Sequence, residues 1–137
     1  MVRRTAFLLS VLIGCSMLGS ERSDTEPHWE LVWSDEFDYN GLPDPAKWDY
    51  DVGGHGWGNQ ELQYYTRAWI ENARVGGGVL IIEARRESYE GREYTSARLV
   101  TRGKASWTYG RFEIRARLPS GRGTWPAIWM LPDRQTY

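Results

Sequence analysis

Two tryptophans four residues apart are the most distinctive candidate binding residues in this sequence. In the run TWPAIWMLP, Trp125 and Trp129 fall on the same side of an extended chain, because side chains alternate along a strand. At about 3.3 Å per residue their Cα atoms lie about 13 Å apart, with Ala127 between them. Exposed indoles at this spacing suit the apolar faces of two or three sugar rings. The alternative is that both rings belong to a core layer.

A glycine-rich segment, GGHGWGN at residues 53–59, is a second candidate for a functional surface. It lacks the Gly-Lys-Ser/Thr signature and the following helix of a phosphate-binding loop, so a mobile rim over a cleft fits it better. Asn59 is a polar residue of this rim. His55 is interpreted as a loop residue without chemistry, because the sequence offers it no partner.

The elements that must position these residues are predicted to be β-strands. From Trp29 onward there is no 3.6-residue apolar period, and Gly and Pro recur about every ten residues, which is typical of an antiparallel all-β sandwich. The clearest predicted strand, RFEIRARL at 111–118, has alternating apolar and charged residues for a buried and a wet face. A strand at 79–85 is predicted to turn Leu80, Ile82 and Ala84 inward. Shorter or less regular strands are predicted at 29–33, 47–52 and 94–102.

The N-terminus has the features of an export signal. Positive charge at residues 3–4 precedes an apolar run at 6–13 that is too short to span a bilayer, which is typical of a secretory signal peptide over residues 1–14. The following Leu-Ile-Gly-Cys resembles a bacterial lipobox, and Cys15 is the single cysteine of the chain. Lipidation there would anchor an exported lipoprotein on the periplasmic or cell-surface side of a membrane. The alternative is an ordinary signal peptide with a chance cysteine.

The charge balance limits the class of partner, and the composition of residues 15–28 indicates where the folded part begins. The chain has 17 Lys and Arg against 18 Asp and Glu, which argues against a nucleic-acid partner because such proteins carry a basic stripe. Residues 15–28 are polar and aperiodic, and they are interpreted as a flexible tether. The folded part is therefore expected to begin at residue 29 and to continue to residue 137.

The segments from residue 29 onward resemble glycoside hydrolase family 16, the laminarinase and β-glucanase family. The similarity lies in ELVWSDEFD near the start, WGNQELQYYT at 57–66, IENARVGGGVLIIEARRE at 70–87 and TRGKASWTYGRFEIRARLPSGRGTWPAIWMLP at 101–132. The resemblance implies a β-jelly-roll sandwich of the concanavalin A type with a concave cleft for β-glucan. By this resemblance Asn59 bonds a sugar beside the scissile bond, Arg102 contacts the bound chain, and Trp125 and Trp129 line the glycone subsites. From the residues alone, Arg102 is equally a surface salt-bridge former.

The catalytic carboxylates of the family are not found in this sequence. Retaining glycosidases use two carboxyl groups about 5 to 5.5 Å apart, and the family carries them in a Glu-x-Asp-x-x-Glu strand that follows the WPAIWMLP segment. Asp49 with Asp51, and Glu36 with Asp38, are two residues apart, but both pairs are interpreted as structural. We therefore expect no catalytic residue in this chain.

Two functional classes follow from the resemblance. The chain is expected to be the N-terminal part of a retaining endo-acting hydrolase of β-1,3- or β-1,3-1,4-glucan, with an incomplete sandwich of 123 residues after the signal peptide, where about 200 to 250 are common. The alternative is a non-catalytic β-glucan-binding lipoprotein of the same fold. The resemblance implies no required cofactor; a structural calcium is an expectation of the family without a site in this sequence.

Overall fold

The computed structural model describes residues 28–134, and it divides the chain into two units, Met1–Glu30 and Leu31–Tyr137. The predicted signal peptide, Cys15 and nearly all of the predicted tether lie outside the described residues, so the predicted boundaries at residues 14 and 28 stay predictions. All of the regular structure described below belongs to the second unit.

Residues 28–134 contain seven short β-strands and no helix, which confirms the predicted all-β class. Accordingly, this range has no helix that is long and apolar enough to cross a membrane. The strands are β1 (Asp49–Tyr50), β2 (Gln63–Tyr65), β3 (Ala73–Gly76), β4 (Val79–Ile82), β5 (Arg85–Tyr89), β6 (Arg92–Ser96) and β7 (Leu99–Val100).

The strands pair in three small sheets. Strands β1 and β7 are antiparallel, with Asp49 opposite Val100, and β3 and β4 form a tight antiparallel hairpin. Strand β6 is the centre of the third sheet, with β5 antiparallel on one side and β2 parallel on the other. The hairpin turn at Gly77 and Gly78 has φ angles of 62° and 77°, which explains the glycines because other residues rarely adopt this left-handed backbone.

The predicted strand at 79–85 is in fact two strands, and its predicted inward face is wrong. The chain leaves β4 at Ile82 and enters β5 at Arg85. Ile82 is 49% exposed and Ala84 is also exposed, whereas Leu80 and Ile81 are half-buried. Alternation predicts that a strand has two faces, but it cannot say which face another layer covers. Within the described residues no layer covers the Ile82 side.

The predicted strand at 111–118 is absent, as is the one at 29–33. Residues 111–134 are exposed throughout and have no strand pairing in the structure. The physical reason is that a strand needs a hydrogen-bonded neighbour, and the described part of the chain supplies none to this segment. Two ring contacts hold its beginning: Trp107 lies edge-on to Trp33 with ring centroids 5.5 Å apart, and to Phe112 at 5.7 Å.

The centre of the fold is a buried polar network around Asn72. The Asn72 side chain accepts a hydrogen bond from the Thr66 hydroxyl at 2.7 Å and donates to the Thr95 hydroxyl at 3.0 Å and the Glu83 carbonyl at 3.1 Å. Thr95 donates in turn to the Glu87 carboxylate. Because these partners belong to different strands and their ends, the network joins the β3–β4 hairpin to the three-stranded sheet.

A buried carboxylate organises the segment before β1. The Asp35 side chain is 2% exposed and accepts hydrogen bonds from the Trp48 indole at 2.7 Å, the Tyr39 hydroxyl at 3.2 Å and the Phe37 backbone N–H at 3.3 Å. Lys47 lies 3.4 Å away. Burial by itself raises the pKa of Asp35, but the hydrogen bonds from Trp48 and Phe37 and the Lys47 charge outweigh it, so the pKa lies below its ordinary value.

Candidate functional site

The pairing of β1 with β7 brings one acidic and two basic side chains together. Asp51 directly follows β1, and its backbone N–H donates to the Arg98 carbonyl at 2.9 Å. The Asp51 carboxylate lies 3.2 Å from Arg98 Nε and 2.9 Å from Arg102 Nη2. Asp51 is only 8% exposed, so this double pairing compensates a charge that would otherwise be costly to bury.

The guanidinium of Arg98 lies over the rings of two tryptophans. Its Cζ lies 4.4 Å from the ring centroid of Trp57 and 4.9 Å from that of Trp129. A planar guanidinium can use both faces for cation–π contacts while its edge remains free to pair with a carboxylate. The arrangement therefore joins the glycine-rich segment to the WPAIWMLP segment through one arginine.

The glycine-rich segment is a tight loop with a left-handed backbone. Gly56 and Gly58 have φ angles of 84° and 77°, and Trp57 between them has a φ of 50°, which is uncommon for a bulky residue. The Trp57 indole donates to the Gly53 carbonyl at 3.2 Å, and the His55 ring lies 4.3 Å from it between centroids. The loop thus holds Trp57 against Arg98, and His55 packs on the same indole.

The Glu61 carboxylate is the common hydrogen-bond acceptor for three polar side chains at and after the rim. Glu61 accepts hydrogen bonds from Asn59 at 3.2 Å, from Gln63 at 2.8 Å and from the Tyr65 hydroxyl at 2.7 Å. Burial, together with the hydrogen bond to Glu61, raises the pKa of Tyr65 to about 12. The Tyr65 ring lies 5.8 Å from Trp57, which connects this polar group to the stacked arginine.

Three of the four predicted binding residues therefore belong to one connected surface. Asn59 is joined to this surface by its hydrogen bond to Glu61, and Arg102 by its ion pair with Asp51. Trp129 is joined to it by its cation–π contact with Arg98. Trp125 is 78% exposed, and the predicted shared strand face of Trp125 and Trp129 is not observed, because the segment has no strand pairing. The predicted sugar contacts of these four residues stay predictions.

Ile128 and Met130 alternate with the two tryptophans, which predicts that they lie on the opposite face of a strand and face a core. This prediction is wrong for the structure. Ile128 and Met130 are 58% and 59% exposed, close to the 55% of Trp129. The segment therefore has no inner and outer face, for the same reason that it has no strand: no second layer lies against it within residues 28–134.

Sequence reasoning missed the residues that connect this surface. The sequence indicates Asp51 only as half of a carboxylate pair, and it indicates no role for Arg98. The sequence places Trp57 in the glycine-rich segment but indicates no role for it. One signal was available: a large aromatic residue between two glycines is unusual for a loop that serves only as a turn.

Neither of the two carboxylate pairs considered for catalysis has two free carboxylates side by side in a buried site. Asp51 pairs with Arg98 and Arg102, whereas Asp49 pairs with Arg67 at 2.5 Å in a more exposed position. Glu36 and Asp38 are exposed. Among residues 28–134 no group of three or more His, Cys, Asp or Glu side chains is arranged to hold a metal ion. The side chains that form the surface are indoles, guanidinium groups, amides and ion-paired carboxylates.

Comparison with known proteins agrees with this description. The beta-glucanase of Rhodothermus marinus is 93% identical over all 137 residues, which make up 48% of that protein. The X-ray structure of the laminarinase from Rhodothermus marinus matches with a TM-score of 0.80 and 98% identity over 82% of this chain and 45% of that one. SCLam, a non-specific endo-β-1,3(4)-glucanase from family GH16, matches with a TM-score of 0.57 and 48% identity over 59% of this chain and 34% of its own.

No family model matches the chain. The chain spans about half the length of the Rhodothermus marinus protein and smaller shares of other relatives, such as 41% of the glucan endo-1,3-beta-glucosidase of Cryptopygus antarcticus. Its strands form part of a jelly roll, as in the laminarinases that it matches. The identity of 93% along the whole chain and the structural matches agree with the resemblance seen in the sequence. The chain belongs to glycoside hydrolase family 16.

Proposed function

We propose that this chain is the N-terminal part of a retaining, endo-acting hydrolase of β-1,3- or β-1,3-1,4-glucan. One observation carries the proposal: the stack of Trp57, Arg98 and Trp129, with Arg102 and Asn59 attached to it through Asp51 and Glu61. Indoles suit the apolar faces of sugar rings, and guanidinium and amide groups suit their hydroxyls. The names of the relatives, a beta-glucanase and a laminarinase, support the same substrate class.

In this proposal the described residues bind the glucan and do not carry out the chemistry. The two carboxyl groups, one nucleophile and one acid/base, are proposed to lie on a strand beyond Tyr137, beside the segment that carries Trp125 and Trp129. The reaction would proceed through a covalent glycosyl-enzyme intermediate and retain the anomeric configuration. The test is ¹H NMR of the first products that the full-length protein releases from laminarin. A β-anomer appearing first supports a retaining endo-glucanase, whereas an α-anomer appearing first contradicts it.

The second candidate is a non-catalytic β-glucan-binding lipoprotein of the same fold. The described surface suits it equally well, because both carboxylates of this surface, Asp51 and Glu61, are engaged by several donors and have no catalytic role in either proposal. The two functions differ in a simple assay with insoluble β-1,3-glucan and the full-length protein. Retention on the polysaccharide without release of reducing sugar would indicate the binding protein.

If the exposed indole of Trp125 stacks against a sugar ring, its removal should weaken glucan binding. In the full-length protein, Trp125→Ala is expected to weaken the binding of laminari-oligosaccharides by about 1 to 3 kcal/mol, the scale for loss of one aromatic contact. Titration calorimetry measures this change. Tyr109→Ala is the control, because Tyr109 is another exposed aromatic residue, at 91%, outside the described surface. An unchanged affinity with an intact fold would refute the role of Trp125.

We also propose that the protein is an exported lipoprotein anchored through Cys15. The support is the sequence alone: a charged start, a short apolar run and the single cysteine at the lipobox position. In cells, Cys15→Ala is expected to abolish the incorporation of radiolabelled palmitate, because the acylated thiol is lost. Ser16→Ala, which changes the next residue and leaves the thiol, is the matched control. Palmitate labelling that survives Cys15→Ala would contradict the anchor.

A further inference from the structure

Asp51 is a buried carboxylate whose two partners both belong to the proposed binding surface. Its side chain is 9% exposed, while that of Arg98 is 18% exposed and that of Arg102 is 66% exposed. One carboxylate oxygen lies 3.2 Å from Arg98 Nε, and Arg102 Nη2 lies 2.9 Å and 3.1 Å from the two oxygens. The charge of Asp51 is therefore shared between two arginines 4 residues apart in sequence.

The contact with Asp51 determines how the plane of the Arg98 guanidinium is oriented. Nε is on the edge of that plane, so a carboxylate bound there limits rotation about the bonds that turn it. The carbon of the same guanidinium lies over the rings of Trp57 and Trp129. A different orientation of the guanidinium would change its contacts with both rings. The position of the Trp129 indole thus depends on the ion pair between Arg98 and Asp51.

Within residues 28–134, Arg98 is the one cation–π or aromatic partner of Trp129, and the Trp129 indole makes no side-chain hydrogen bond there. The indole is 55% exposed and lies in a segment without strand pairing. Trp57, by contrast, is held by the hydrogen bond to Gly53 and by contacts with His55 and Tyr65. Arg98 therefore connects the better supported Trp57 with the less supported Trp129.

We infer that Asp51 is a positioning residue for glucan binding, which orients Trp129 through Arg98 and holds Arg102 at the same surface. The inference rests on the proposed function for its substrate. Asp51 does not touch the sugar. It acts by limiting the orientations of the two arginines before the glucan arrives, so that less conformational entropy is lost on binding.

The first test compares Asp51→Asn with Asp49→Asn in the full-length protein. The two substitutions remove a carboxylate of the same type from nearby positions, but Asp49 pairs with Arg67 and the Tyr50 backbone N–H and not with Arg98 or Arg102. We expect Asp51→Asn to raise KM for laminari-oligosaccharides about three- to tenfold and to leave kcat within about twofold, because uniform binding is lost. Asp49→Asn is expected to leave both parameters unchanged. An unchanged KM for Asp51→Asn would overturn the inference.

A double-mutant cycle separates positioning from a general loss of stability. If Asp51 orients Trp129, the effect of Asp51→Asn on KM should become clearly smaller when Trp129→Ala is already present, and the effect that remains should come from Arg102. Fully additive effects would show that Asp51 does not act through Trp129 and would contradict the inference. Asp51→Glu, which restores the charge, is expected to recover part of the lost affinity.

A spectroscopic measurement that does not depend on hydrolysis tests the same inference even if the protein does not hydrolyse glucan. Near-ultraviolet circular dichroism reports on indoles held in a fixed environment, so Asp51→Asn and Arg98→Lys should weaken the same tryptophan bands. Lysine keeps the charge beside Asp51 but lacks the planar faces on which the indoles stack. A spectrum that matches the wild type for both variants would overturn the positioning role. Absence of turnover by the wild-type protein would instead count against the proposed hydrolase.

Discussion

A protein made of residues 15–137 is expected to release no reducing sugar from laminarin or barley β-glucan. The first reason is chemical, because retaining hydrolysis needs two carboxyl groups at about 5 to 5.5 Å, and the candidate pairs are ion-paired with arginines or exposed. The second reason is physical. The buried apolar residues of the described range are Ala73, Val75 and Ala97, which are all small. So small a core leaves little to offset the entropy of folding, and aggregation or a loosely packed state is expected.

The matched experiment extends the same protein by about a hundred residues of its own gene beyond residue 137, since one-domain β-sandwiches commonly reach about 200 to 250 residues. The longer protein is expected to fold cooperatively and to hydrolyse both glucans, provided that the added part contains the two-glutamate strand. Reducing-sugar release by the two proteins is measured side by side, and removal of those two glutamates is the control. Robust turnover by the short protein would contradict the assignment. Asp49, Asp51, Glu36 and Asp38 would then be the first residues to substitute.

The largest loss of stability from a single substitution is expected at Asn72. Asn72→Ala in the full-length protein would leave the Thr66 hydroxyl, the Thr95 hydroxyl and the Glu83 carbonyl without their present partner in a buried place. Each buried polar group left unpaired costs about 1 to 3 kcal/mol. We expect the free energy of unfolding to fall by about 3 to 5 kcal/mol, since some of these groups recover partners, as Thr66 does with Ser96 at 3.3 Å.

Asn59 offers a control of the same residue type for this experiment. It is exposed, and its side chain makes one hydrogen bond, to Glu61 at 3.2 Å. Asn59→Ala is therefore expected to change the free energy of unfolding by less than about 0.5 kcal/mol. Urea denaturation of the two variants and the wild type measures the difference. Similar losses for both asparagines would show that the Asn72 network does not hold the two sheets together.

Several features of this protein could be predicted from local patterns. Alternation and regular Gly and Pro spacing predict an all-β chain, and the structure has seven strands and no helix in residues 28–134. The glycines before the predicted strand at 79–85 indicate a turn, and the structure has it at Gly77 and Gly78, because glycine readily takes the left-handed backbone that is needed there. Strand β3, on the other side of this turn, was not predicted. The motifs around Asn59 and Trp129 predict the family. All of these depend on residues that are close together in the chain.

Other features depend on contacts that no local pattern contains. Alternation in RFEIRARL describes the two faces of a strand, but a strand also needs a paired neighbour, and the described residues offer it none. The stack of Trp57, Arg98 and Trp129 joins residues 41 and 31 positions apart. Asp51 meets Arg98 only because β1 pairs with β7. The sequence by itself thus determined the strand class, the turns and the candidate side chains. The tertiary structure alone decided which side chains meet, because pairing between distant strands brings the buried Asp51 carboxylate to its arginine partners.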